Sequence, residues 1–173
     1  STAQAAAAEG DFDADGITNL QIGVGGVLDL AGQAQVNGDV SASSVSGTAD
    51  AASGANASNA SIKGKDPIDK YDSDASTISG LDSVEIDVAS DASVLGTAVG
   101  SFTTTAESTD AAATAEANQD VFGIQAIDIS VGGVGSIAAI AQDSNFVEAS
   151  SVMGDASATA TVDAIGLDGG DIS

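Results

Sequence analysis

Residues 13–51 slide onto residues 120–158, a shift of 107, without a gap, and about half of the positions agree. Asp13 matches Asp120, Gly16 matches Gly123 and Ile22 matches Ile129. Val24-Gly-Gly-Val27 matches Val131-Gly-Gly-Val134, and Ala42-Ser-Ser-Val45 matches Ala149-Ser-Ser-Val152. Gly47, Ala49 and Ala51 continue the register as Gly154, Ala156 and Ala158. A shift of 64 brings in a more divergent middle copy, pairing Ile22 with Ile86, Val24 with Val88, Gly32 with Gly96 and Ala34 with Ala98. A chain duplicated in this way folds as one unit repeated, each copy burying its face against the next.

The clearest element of the unit is a nine-residue phrase: Gly16-Ile-Thr-Asn-Leu-Gln-Ile-Gly-Val24, Gly80-Leu-Asp-Ser-Val-Glu-Ile-Asp-Val88 and Gly123-Ile-Gln-Ala-Ile-Asp-Ile-Ser-Val131. Each has a glycine, then apolar residues at +1, +4, +6 and +8. The last three alternate with polar residues, the period of a half-buried strand. The leading glycine predicts a turn with φ > 0 before the strand begins. The stretches 111–117 and 156–164 alternate alanine with Thr, Glu, Asn, Ser and Asp, and read as strands packed through small side chains rather than as helices. The expected class is all-β.

The phrases begin at 16, 80 and 123, so the intervals are 64 and 43 and the first holds an excess of 21. That excess falls near residues 57–77, which contain every lysine, the single proline and the single tyrosine, Tyr71. The chain therefore divides into a lead and acidic loop (1–15), unit one (16–56), an insertion (57–79), unit two (80–122) and unit three with a tail (123–173), all in one continuous domain. Half of 43 is a coil of about 21 residues, which predicts a β-solenoid of three tandem units, two coils to a unit. The alternative is a β-sandwich of pilin-like type, in which a strand from a neighbour completes the sheet. The Ala-rich residues 1–10 read as a short helix, a leader or a donated strand.

Composition removes whole classes of function. Cys, His, Trp and Arg are absent, and Lys63, Lys65 and Lys70 are the only cations against 26 acids, for a net charge of −23. Such a polyanion repels nucleic acid and anionic lipid. No apolar run has the length of a membrane span. Without cysteine there is no disulfide framework. General acid–base chemistry would fall to Asp, Glu, Lys or Tyr71, and one tyrosine with no tryptophan or arginine leaves little to bind a sugar or another small-molecule substrate. A non-enzymatic protein is expected.

Asp11-Phe-Asp-Ala-Asp-Gly16 places carboxylates at positions 1, 3 and 5 and glycine at 6, the opening half of a calcium loop. It resembles the loops of dockerins and thrombospondin type 3 repeats, which implies Ca2+ on Asp11, Asp13 and Asp15; Ile22 stands where such a loop places its bidentate glutamate. The alternative is an acidic turn. Residues 36–49, Val-Asn-Gly-Asp-Val-Ser-Ala-Ser-Ser-Val-Ser-Gly-Thr-Ala, resemble the Val/Gly-punctuated coils of bactofilins and secreted β-helical adhesins, a resemblance that implies filament-forming surface proteins. Asp69, Asp72 and Asp74 beside Lys63, Lys65 and Lys70 form a candidate contact between subunits, and Asn56 and Asn59 match the glycosylation acceptor pattern. The small-residue start, Ser-Thr-Ala-Gln-Ala-Ala-Ala-Ala, suggests the product of signal-peptide cleavage. Together these features predict an extracellular subunit that self-assembles with identical copies through its β edges into a filament. The alternatives are a calcium-dependent adhesin or matrix module acting as a monomer, and a β-helical polysaccharide-processing enzyme.

Overall fold

Alternation of small apolar and polar residues, sustained over stretches as long as Leu28–Ser44, favours extended backbone, because period two puts Leu28, Leu30, Ala34, Val36, Val40 and Ala42 on one side. The computed structural model describes residues 4–53 and 76–173, and none of them is helical. The strands are β1 (Ala6–Gly10), β2 (Ala14–Thr18), β3 (Gln21–Val24), β4 (Leu28–Ser44), β5 (Ala49–Ser53), β6 (Ser76–Val88), β7 (Ala92–Ser108), β8 (Ala113–Val131), β9 (Gly135–Ser151) and β10 (Ala156–Ile172). The protein is all-β.

Every ladder among the described residues is parallel. One sheet, sheet B, is β4-β7-β9, with Leu28 beside Ala92 and Ala92 beside Gly135. The other, sheet A, sets β1, β2 and β3 against β5 and β6, these against β8, and β8 against β10. The chain alternates between the sheets and returns to the next position in register. Partners are 43 residues apart, as for Ala6 and Ala49, or 64 apart where 54–75 intervene, as for Ala49 and Ala113. The three copies of the nine-residue phrase therefore lie side by side: Ile22 on Ile86 on Ile129, and Val24 on Val88 on Val131.

The space between the sheets has three compartments. Leu28, Leu81, Val84, Ile86, Val94, Ile124, Ile127 and Ile129 fill the widest. Phe102, Ile78, Val121, Ala34 and Ala98 fill the middle, where the Phe12 ring lies 5.5 Å from that of Phe102. Alanines fill the narrowest, Ala42, Ala49, Ala51, Ala106, Ala113 and Ala115 with Val40. Between the first two, the sheets approach backbone to backbone through glycine. A Cβ on Gly16 would lie 2.6 Å from the backbone of Gln33, and one on Gly32 would meet the Gly80 carbonyl. One on Gly80 would meet the Thr97 backbone, one on Gly96 the Gly123 carbonyl, and one on Gly123 would lie 2.5 Å from the Ile140 nitrogen. Each sheet B strand thus sits in the step between two sheet A strands.

This overturns the turn reading of Gly16, Gly80 and Gly123. They lie inside β2, β6 and β8, and none has positive φ. Their lack of a side chain serves close approach of two sheets. Positive φ occurs three residues later, at Asn19, Ser83 and Ala126, and in β10 at Gly169 and Gly170, so each strand level of sheet A bends at the same place without losing register.

The expected 21-residue coil is also corrected. Strands of 17 and 19 residues span each sheet, so a full circuit takes 43 residues. A uniform period-two pattern does not reveal where a long strand ends. The antiparallel pairings usual in a sandwich are not among the ladders described. β1 pairs with β5 of its own chain. β6 begins at Ser76, so residues 76–79, assigned to the insertion from sequence, belong to that strand.

Candidate assembly interface

A parallel sheet is finished only where its last strand finds a neighbour, and here four strand edges lack one among the described residues. At one end these are the outer edges of β1–β3 and of β4; at the other, those of β9 and β10. In the middle of the stack, inward residues of β7 such as Val94, Ala98, Phe102 and Ala106 are buried at 2% exposure or less. Their counterparts on β9, Ile137, Ala141, Asn145 and Ala149, are only half-buried, because among the described residues no further strand of sheet B follows β9. On β10 the inward Val162, Leu167 and Ile172 are 40%, 43% and 57% exposed. At the opposite end Ala6, Ala8, Phe12, Ile17, Ile22 and Val24 are likewise partly covered. Both ends present the interior pattern unfinished.

The turn from sheet B back to sheet A is held the same way at each level. Ser44 Oγ accepts from Gly47 N (3.0 Å) and donates to Gln4 O (2.6 Å); Ser108 Oγ accepts from Ala111 N (3.2 Å) and donates to Gly47 O (2.8 Å). Ser151 Oγ repeats both bonds, to Gly154 N (2.8 Å) and Ala111 O (2.6 Å). Each hydroxyl closes its own turn and ties it to the turn one level before. The signal was present in the duplicated Ala-Ser-Ser-Val, whose second serine is this residue.

One polar group interrupts the interior at the β9 end. Asp143 and Asn145 point inward where the levels before them carry Gly100 and Phe102, and Asn145 Nδ2 donates to Asp143 Oδ2 at 2.8 Å. The Oδ1 atoms of both, and Oε1 of fully buried Gln119, have no hydrogen-bond partner among the described residues. Burial pushes the Asp143 carboxyl above its ordinary range, against the opposing effect of hydrogen bonds from Ser144 and Asn145. An inward charge on a terminal strand is a known restraint on indiscriminate edge pairing. Gln119 Nε2 donates to Ser53 O (3.1 Å) and Ser53 Oγ (3.0 Å), and Ser53 Oγ shares a proton with Thr104 Oγ1 at 2.6 Å.

The outer face of sheet A is acidic in columns. Glu85, Asp128 and Asp171 occupy one column on successive strands, and Asp120 and Asp163 another. Burial, then the neighbouring Asp163, raise the Asp120 carboxyl; burial, then Asp82 and Asp13, raise Asp15. Burial also raises Asp50, opposed by Thr114 and Thr48.

Asp11, Asp13 and Asp15 do not wrap around a common centre. Asp13 and Asp15 project from the same outward face of an extended segment, so they lie ~7 Å apart along it. Asp13 Oδ1 accepts from Thr77 N at 2.8 Å. No group of three or more acidic or other metal-binding side chains among the described residues is arranged to hold an ion. Lys63, Lys65, Lys70, Asp69, Asp72 and Asp74, with Tyr71 and the acceptor residues Asn56 and Asn59, lie outside the described residues. No helix among the described residues is long and apolar enough to cross a membrane. Comparison of the chain with models of protein families, with curated proteins and with solved structures found no match.

Proposed function

We propose that this chain is a β-solenoid of 43-residue coils that serves as the structural subunit of an extracellular filament, joining identical copies through its open β edges. The observation that carries this reading is the pair of unfinished ends, where the interior pattern of alternating apolar side chains continues to the last strand with no described residue completing it. Parallel ladders need neighbours in register, and a copy of the same chain carries strands of the right length and spacing. The net charge of −23 suits a saline medium, whose ions screen the repulsion between subunits, and calcium would add to that screening.

The test is negative-stain microscopy with sedimentation of the purified chain across a range of salt. Long uniform fibres are expected. A monodisperse monomer at every salt concentration would refute the filament and leave the adhesin or matrix module as the reading to pursue.

A further inference from the structure

The strand levels climb in strict alternation. The glycine contacts place β4 between Gly16 and Gly80, β7 between Gly80 and Gly123, and β9 between Gly123 and Gly166. The described stack therefore opens on a sheet A strand level, β1–β3, and finishes on another, β10. This parity matters for assembly. If two copies meet end to end with β10 against β1–β3, sheet A runs on but sheet B lacks one strand between β9 and the next copy's β4. The inward Val162, Leu167 and Ile172 would then face a vacant slot. If β9 instead meets the next copy's β4, sheet B runs on, but β10 and that copy's β1–β3 claim the same place.

Resting on the filament reading, we propose that assembly proceeds by strand replacement: β10 takes the position of β1–β3 in the next copy, and residues 6–24 of that copy are released. β10 is the competent replacement because its register is equivalent. Asp168 lies beside Gln125, which lies beside Asp82, which lies beside Thr18. One strand can thus lie beside β8 of its own chain on one edge and β5 and β6 of the next copy on the other. β1–β3 are the side that yields. They hold their neighbours through three pieces of 5, 5 and 4 residues, whereas β10 is continuous over 17. Replacement makes both sheets continuous and lays β4 of the next copy over Val162, Leu167 and Ile172, whereas displacing β10 would leave them in water. The joint is then the same parallel packing as the inside of each subunit.

Disulfide mapping in the full chain, which has no cysteine of its own, separates the possibilities. Asp82 and Asp168 lie two strands apart within one chain, ~9.6 Å, too far for a disulfide. Replacement brings Asp168 of one copy beside residue 82 of the next. Simple end-to-end stacking brings it beside residue 18. Fibres of D82C/D168C should oxidise to a ladder of covalent multimers on denaturing gels, and fibres of T18C/D168C should remain monomeric. The reverse pattern would overturn strand replacement and leave the filament standing. Fibres that cross-link in neither variant would also overturn it, placing the joints elsewhere on the surface. Failure of the unsubstituted chain to form fibres would instead defeat the filament reading itself, and the replacement with it.

Discussion

Gly96→Ala tests whether the two sheets really meet backbone to backbone. The added methyl would stand against the Gly123 carbonyl oxygen and Ile124 Cγ1. Neither can swing aside, because Gly123 belongs to β8, which is paired on both edges by β6 and β10. Forcing a methyl into a rigid contact costs ~1–3 kcal/mol. Against this, alanine narrows the unfolded ensemble, worth ~0.4–1 kcal/mol to the fold. The net expected loss is about 1–2 kcal/mol. Gly23→Ala is the internal control: nothing lies within 4 Å of its added Cβ, and its φ is not positive. It should gain the unfolded-state effect alone. The two variants should differ by about 2 kcal/mol, which at a slope of ~1–3 kcal/mol per molar urea separates their unfolding midpoints by about 1 M. The assay is urea denaturation followed by far-ultraviolet circular dichroism at matched subunit concentration. Equal midpoints would refute the close approach and return the glycines to turn-formers.

Acid should stabilise this protein over a defined range. Asp15, Asp50, Asp120 and Asp143 all have carboxyls raised above the ordinary 3.8, so the folded chain binds more protons than the unfolded one between that value and the raised ones. The melting temperature should therefore climb as pH falls from neutral toward 3.8, and a steady decline over that range would contradict it. Asp128→Asn removes the central charge of the Glu85–Asp128–Asp171 column; it should raise the melting temperature at low salt and do nothing in molar salt, where screening acts within ~3 Å. Calcium and magnesium at equal concentration should shift the melting temperature equally, since Asp11, Asp13 and Asp15 are not gathered around one point; a rise specific to calcium, lost in Asp13→Asn, would reveal a dedicated site.

The sequence carried the repeat and its register. The shift of 64 is a distance that pairing spans, and the shift of 107 is two such steps, 64 and then 43, so the matches of Ile22 with Ile86 and with Ile129 mark one column of the sheet, Ile86 lying between the other two. The inward parity was legible for the same reason, since a sheet that loses it turns its core outward. The length of the circuit was not. Leu28–Ser44 keeps period two for 17 residues, and the glycines and serines inside it look like turn residues when their neighbours across the sheets are unknown. Gly16, Gly80 and Gly123 read as turn-formers on that account: lack of a side chain signals a free φ or a near backbone, and only the opposite sheet says which. Asp143 and Asn145 carried no local mark at all, because an acid in an alternating strand looks outward-facing until the parity of all 17 residues is fixed.

The attachment of Ser53 and Ser76 to one strand has a consequence for what the protein can carry. Ser53 lies beside Ala117 and Ser76 beside Gln119, so the two are fastened two positions apart on the one continuous strand β8. Cargo of another length, a peptide tag or a small folded module, could be spliced between them while the flanking strands keep their partners. If the subunits do polymerise, each would then display one such graft at a fixed repeat along the fibre.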